Sequence, residues 1–203
     1  SLLENSALAK GASMGLLNLA LVAKDRDKLV KKGLIPRLVQ LLHHPEAAVV
    51  AAGALANLTA GSKIAARQAA EGGAVKPLVS SLQRLCEELD VTGGTVELIG
   101  TESDGAAWVL GALAHILVLS DTVEVRQEAS LATPAVCRLL RLGSGSVQDL
   151  TVFMLGAMCK YQQEMVRHHL LRESLEAKLR DLIVEMEGSL KEKVVILHRL
   201  CLK

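Results

Sequence analysis

The sequence predicts an all-α protein built as an α-solenoid, a stack of similar helical units. Apolar residues recur at helical spacing through most of the 203 residues. A segment that begins at Gly33 is repeated from Gly73, 40 positions later, and Asn18 precedes Asn57 by 39 positions in a similar context. Two offsets of about 40 residues in helical sequence are typical of solenoid repeats, which pack on their neighbours in sequence.

Composition favours one domain, residues 1–203, with a large aliphatic core. Half of the residues (50%) are hydrophobic, yet the chain has one Trp, one Tyr and one Phe. The 23 basic and 22 acidic residues leave a net charge of +1, so the bulk charge gives no strong positive electrostatic field that would attract nucleic acid. Residues 47–62 and 105–120 contain no Asp, Glu, Lys or Arg, but 16 residues are too few to span a membrane.

The first helices predicted belong to a half-repeat and one full repeat. Residues 4–22 predict the last helix of the half-repeat 1–23. Residues 24–32 predict a short charged first helix. Residues 33–60 predict a second helix, a break at His43-His44-Pro45, and a longer third helix that carries Asn57. These helices make up the repeat 24–61.

The next repeat, 62–120, is interrupted. Residues 62–71 and 74–89 predict its first and second helices. Residues 90–104 are rich in Gly, Thr and acidic residues and lack helical periodicity, which predicts an insertion. The third helix is predicted over 105–119, with Ser103 or Asp104 as its N-cap.

Two further repeats, 121–161 and 162–203, follow the same plan. Residues 121–132, 133–142 and 147–161 predict the three helices of the first of them, with Pro134 near the start of the second helix. Residues 162–171, 173–186 and 189–203 predict the three helices of the closing repeat. The chain begins at Ser1 without a Met and ends at Lys203 inside a helical pattern, so we expect a fragment of a longer protein.

Four short motifs in the segment from Gly33 resemble the armadillo repeat: GLIP at 33–36, LVQLL at 38–42, PE at 45–46 and ALANL at 54–58. HEAT repeats, which also stack helix pairs, are the nearest alternative. The resemblance implies a right-handed α-solenoid of stacked three-helix armadillo-type repeats. It also implies that third helices line a concave groove, where an Asn of each repeat binds the main chain of an extended peptide. An amide suits that task because it both donates and accepts hydrogen bonds.

Aligning successive repeats gives a ladder of positions equivalent to the family Asn, and the residue type at these positions changes in the second half of the chain. Its members are Asn18, Asn57, His115 and Lys160, and the residues seven positions earlier, on the same helix face, are Gly11, Val50, Trp108 and Phe153. A second alignment places Trp108 opposite Gly53 and Ala112 at the Asn position. We prefer the first alignment, which needs a shorter gap before Arg126.

The predicted partner-binding groove therefore consists of six residues: Asn18, Asn57, Trp108, His115, Phe153 and Lys160. The nuclear-import members of the family carry a Trp four residues before each Asn, whereas this chain has Gly53 and Met14 there. A basic localisation signal is therefore not the expected ligand, and His115 and Lys160 favour a neutral or acidic segment. The alternatives remain open that Asn18 and Asn57 cap or cross-link helices and that the two aromatic residues are core.

Sequence signals for chemistry are weak. Cys86, Cys137, Cys159 and Cys201 form no CxxC pair and lie in apolar helical contexts, which favours reduced, buried thiols. His168 and His169 have no Glu or Cys at metal spacing. Cys159 and His115, on neighbouring third helices, lack an orienting acid and an oxyanion site. We expect no enzyme activity, no metal and no cofactor.

The main hypothesis is a non-catalytic scaffold or adaptor, monomeric and cytoplasmic, that binds a partner protein, either an extended peptide or a helical segment. One alternative is an adaptor at the cytosolic face of an organelle that tethers membrane or cytoskeleton through signals in the absent termini. Another is a co-chaperone that clasps a folded partner. Neither nucleic-acid binding nor a membrane span is expected.

Overall fold

The computed structural model describes residues 15, 16, 20, 26–91, 101–142 and 145–202, with backbone alone at 89–91 and 101–104. Every element in these ranges is an α-helix. In chain order they are α1 (Arg26–Lys31), α2 (Leu34–Leu41), α3 (Pro45–Thr59), α4 (Lys63–Glu71), α5 (Val75–Val91), α6 (Thr101–Ser120), α7 (Val123–Ser130), α8 (Thr133–Leu142), α9 (Gly145–Arg172), α10 (Glu176–Glu185) and α11 (Gly188–Cys201). The protein is an all-α solenoid, as the sequence predicts.

The helices alternate as first, second and third members of successive repeats. α3 packs along α6, α6 along α9, and α9 along α11, so these four third-type helices form one continuous layer. The second-type helices α2, α5, α8 and α10 each contact the third-type helix of their own repeat. Aliphatic side chains such as Leu38, Leu55, Leu110 and Leu139 fill the space between them and are fully buried. Burial of this kind contributes about 1.5–3 kcal/mol per Leu side chain.

Left-handed glycines explain the repeated turn between first and second helices. Gly33 and Gly73 have φ of 76° and 78°, a conformation that glycine adopts without steric cost. At the second turn, Gly73 and Ala74 donate to the carbonyls of Ala70 and Ala69 at 2.9 and 3.0 Å, which closes the end of α4. The glycines seen 40 positions apart in the sequence therefore mark equivalent turns.

The predicted helices of the later repeats lie where the pattern places them. α8 has the predicted bounds, and α9 combines a third helix with the following first helix across a kink. At the kink, Gln162 has non-helical φ of −140° and ψ of 47°. The sequence predicts a boundary between residues 161 and 162, at this residue.

The start of α6 differs from its prediction. The helix begins at Thr101 and so includes Ser103 and Asp104, which were expected to cap it from outside. The four residues Thr-Glu-Ser-Asp contain no apolar side chain, so apolar periodicity cannot detect this first turn. The rest of the predicted insertion is in α5 at residues 90–91 and outside the described residues at 92–100.

The leading half-repeat lies mostly outside the described residues, and Asn18 and Gly11 are among those not described. Gly15, Leu16 and Ala20 are helical, and Ala20 is buried. In the described ranges, no helix is both long enough and apolar enough to cross a membrane.

Candidate functional site

The candidate site is the outward strip of the third-helix layer, defined by Asn57 on α3, Trp108 and His115 on α6, and Phe153 and Lys160 on α9. We call it the third-helix surface. α6 shows how the strip arises, because α3 and α9 flank it and α4, α5 and α7 also pack on it. Its residues facing these neighbours are buried, whereas Trp108 and His115 are half-buried.

Small residues let the third helices approach closely. A Cβ on Gly105 would lie 2.9 Å from Val49 Cγ1 of α3. A Cβ on Gly111 would lie 3.5 Å from the Ala56 side chain and 4.0 Å from Leu150 of α9. Gly111 is therefore buried between the half-buried side chains of Ala56 and Leu150, where its small size lets α3 and α9 approach α6.

These contacts also set the register between α3 and α6. Val49 lies beside Gly105 and Ala56 beside Gly111, so Trp108 is level with Gly53. This register corresponds to the second sequence alignment, which places Ala112 rather than His115 at the Asn position. Ala112 is fully buried and offers no polar group.

His115 turns back towards α3. Its Nδ1 lies 3.1 Å from the Ala56 carbonyl oxygen, which only accepts, so Nδ1 carries the proton. The same nitrogen lies 3.3 Å from Thr59 Oγ1, whose own hydroxyl donates to the Leu55 carbonyl at 2.7 Å. The imidazole thus ties two repeats together with one of its nitrogens.

Burial lowers the pKa of His115, and the hydrogen bond to Ala56 opposes that shift only in part. The ring is therefore neutral at pH 7. His115 adds no positive charge to the third-helix surface, contrary to the basic role that the sequence suggested for it. The cause is the closeness of α3 and α6, which desolvates the ring.

Asn57 is half-buried, and its side chain makes no hydrogen bond to any described residue. Among the residues that the structure describes, nothing caps Asn57 or cross-links it to another helix. Trp108 and Phe153 are half-buried and pack against the core, so each contributes to packing while part of its surface stays accessible.

Phe153 is partly covered by a residue that sequence reasoning missed, Lys193 of α11. The Lys193 ammonium lies 5.3 Å from the Phe153 ring centroid, within cation–π range. Its Nζ donates to the Ser189 carbonyl at 3.3 Å. A Cβ on Gly156 would lie 2.7 Å from Lys193 Cδ, so the lysine stem occupies the space that Gly156 leaves. One available signal was the 40-residue offset between Phe153 and Lys193, equal to that between Gly33 and Gly73.

Lys160 is exposed near the end of the third-helix part of α9. The adjoining Tyr161 donates its hydroxyl proton to Asp121 Oδ2 at 2.9 Å, and the Arg126 guanidinium lies 4.3 Å from the Tyr161 ring centroid. Lys160 is therefore level with the end of α6, about 9 Å along the helix axis beyond His115. The structure does not bring Lys160 and His115 side by side.

The cysteines have the properties of structural thiols. Burial raises the pKa of Cys159 to about 11 and that of Cys137 to about 12, where Glu173 adds to the effect. At neutral pH both are protonated and therefore poor nucleophiles. The described residues contain no group of three or more His, Cys, Asp and Glu that would hold a metal ion.

Comparison with known proteins supports the fold. No family model matches the chain. An engineered protein superposes with a TM-score of 0.54 at 21% identity, covering 98% of this chain and 94% of its own. A designed armadillo repeat protein gives 0.53 at 18% identity, covering 97% and 94%.

A computationally designed armadillo repeat protein for modular peptide recognition gives a TM-score of 0.50 at 18% identity, again covering 97% and 94% of the two chains. These similarities are to proteins of low sequence identity, so they concern the fold. The chain has the fold of an armadillo-type α-solenoid.

Proposed function

We infer that this protein is a non-catalytic scaffold that binds an extended segment of a partner protein along the third-helix surface. The observation that carries this proposal is the half-buried amide of Asn57, which makes no hydrogen bond to a described residue and lies on the same surface as Trp108 and Phe153. The amide grips a main-chain peptide unit of any sequence, and the two aromatic side chains offer apolar contact. The likeness to a protein designed for peptide recognition supports the same use of the fold.

The chemistry of the surface favours a neutral or acidic segment. Its described cations are Lys160 and Lys193, while His115 is neutral because partial burial lowers its pKa. The four cysteines are thiols and not disulfides, consistent with a reducing compartment such as the cytoplasm.

The test compares captured proteins between wild type and Asn57→Ala in affinity purification from a native extract. Ala is favoured in helices, so Asn57→Ala is expected to leave the fold intact. Two main-chain hydrogen bonds are worth about 1 kcal/mol each, so affinity for the partner should fall about 10-fold or more. Trp108→Ala should weaken the same interaction.

Two variants away from the third-helix surface serve as matched controls. Gln40→Ala removes an exposed amide from α2, and Ile64→Ala removes an apolar side chain that is 69% exposed on α4. The proposal would be contradicted if a partner were retained equally by wild type and Asn57→Ala but lost from either control. Recovery of chaperones alone, or of membrane and cytoskeletal proteins alone, would favour the co-chaperone or the tethering adaptor instead.

A further inference from the structure

We propose that Lys193 determines the specificity of the third-helix surface by selecting an acidic side chain in the partner segment where it crosses Phe153. This inference rests on the proposed function and names the chemistry of the partner. Lys193 belongs to the last repeat, and it reaches across the boundary between α9 and α11.

The ammonium of Lys193 is held in place before any ligand arrives. Its stem lies against Gly156, its Nζ donates to the Ser189 carbonyl at 3.3 Å, and the Phe153 ring lies beneath the charge at 5.3 Å. An ammonium has three N–H donors, so two remain for a carboxylate. Because the stem is already confined, less side-chain entropy is lost on binding than for a free lysine.

The other charged groups nearby are less suited to this role. Lys160 and Asp149, the other charged residues of the third-helix part of α9, are exposed, and ion pairs of exposed groups contribute little. Lys193 is half-buried beside an aromatic ring, where a charge-assisted hydrogen bond is stronger. Selectivity should therefore come from Lys193 rather than from the lysines of the surface in general.

Gly156 is part of the same arrangement. Any larger residue there would displace the Lys193 stem, since a Cβ would lie 2.7–3.1 Å from its carbon atoms. Because Cγ and Cβ of Lys193 are among these atoms, the side chain would shift from its base, and this would move the ammonium from its place over Phe153.

The experiment measures binding of two short fluorescein-labelled peptides, one alternating Glu and Ser and the other alternating Gln and Ser, by fluorescence anisotropy. Lys193→Met keeps the stem and removes the charge. It should weaken binding of the Glu peptide about 10-fold and change that of the Gln peptide less than about twofold. Gly156→Ala keeps every charge. It should weaken binding of the Glu peptide selectively, and by less than Lys193→Met does.

Lys191→Met is the matched control, because Lys191 is an exposed lysine two positions earlier on α11. Its affinity for both peptides should stay within about twofold of that of wild type. Two results would overturn the assignment of specificity to Lys193. One is an equal effect of the Lys191 and Lys193 substitutions on binding. The other is an equal loss of affinity for both peptides in Lys193→Met. Failure of wild type to bind either peptide would instead count against the proposed function, and the inference would fall with it.

Discussion

His115 couples two repeats through a single imidazole, and this contact determines its tautomer and its protonation state. Nδ1 donates to the Ala56 carbonyl, so the tautomer is determined by backbone that belongs to α3. The sequence placed His115 at an Asn position of the repeat, as a basic replacement for the amide, but a pattern of residue types contains no information on desolvation. Whether a histidine is charged depends on what packs around it.

Stability should therefore depend on pH through His115. Its pKa is lower in the folded state, so the unfolded chain binds more protons, and the free energy of unfolding falls as pH drops below the unfolded pKa of about 6.5. His115→Gln keeps a donor and does not titrate. Urea unfolding from about pH 7.5 to about pH 5 should show a smaller loss of stability in the variant than in wild type. Parallel pH profiles would contradict this account of His115.

At the scale of helices and turns, much of the structure follows from local sequence. Thr133 to Leu142 forms the predicted second helix, and the kink at Gln162 lies at the predicted boundary. Gly33 and Gly73 occupy left-handed turns that favour glycine. The start of α6 at Thr101 was missed because its first turn lacks the apolar residues on which periodicity depends.

The turn before α10 contains an exception that gives a stability prediction. Ser174 has φ of 54°, and it donates to the Leu171 carbonyl at 3.0 Å while Leu175 donates to Leu170 at 3.1 Å. This is the same closure as at Gly73, made by a residue with a Cβ. Ser174→Gly should raise the free energy of unfolding by about 1 kcal/mol, since it relieves a left-handed conformation.

The same substitution elsewhere should act in the opposite direction. Ser80 is exposed in the interior of α5, where Ser80→Gly should lower the free energy of unfolding by about 0.5 kcal/mol. Thermal unfolding of the two variants beside wild type measures both changes in stability. A lower melting temperature for Ser174→Gly would show that the turn is not strained as its φ suggests.

At the scale of the whole molecule, the decisive features are contacts between repeats. The sequence offered two alignments of Trp108 because the predicted insertion 90–104 precedes it, and the pairs Val49 with Gly105 and Ala56 with Gly111 favour the second. The contact of Lys193 with Phe153 depends on how α11 packs on α9, which residue patterns within one helix do not determine. The fold was predictable from the sequence, whereas the register between α3 and α6 and the contact of Lys193 with Phe153 were not.

The central claim is that a partner segment lies along the third-helix surface. The most direct measurement is crosslinking in native extract with a photoreactive amino acid placed at Lys160, and in separate variants at Gln40 or Ile64, followed by mass spectrometry of the crosslinked peptides. We expect a partner segment to crosslink to the Lys160 position and to neither control. Crosslinks from Gln40 or Ile64, with none from the Lys160 position, would contradict the claim.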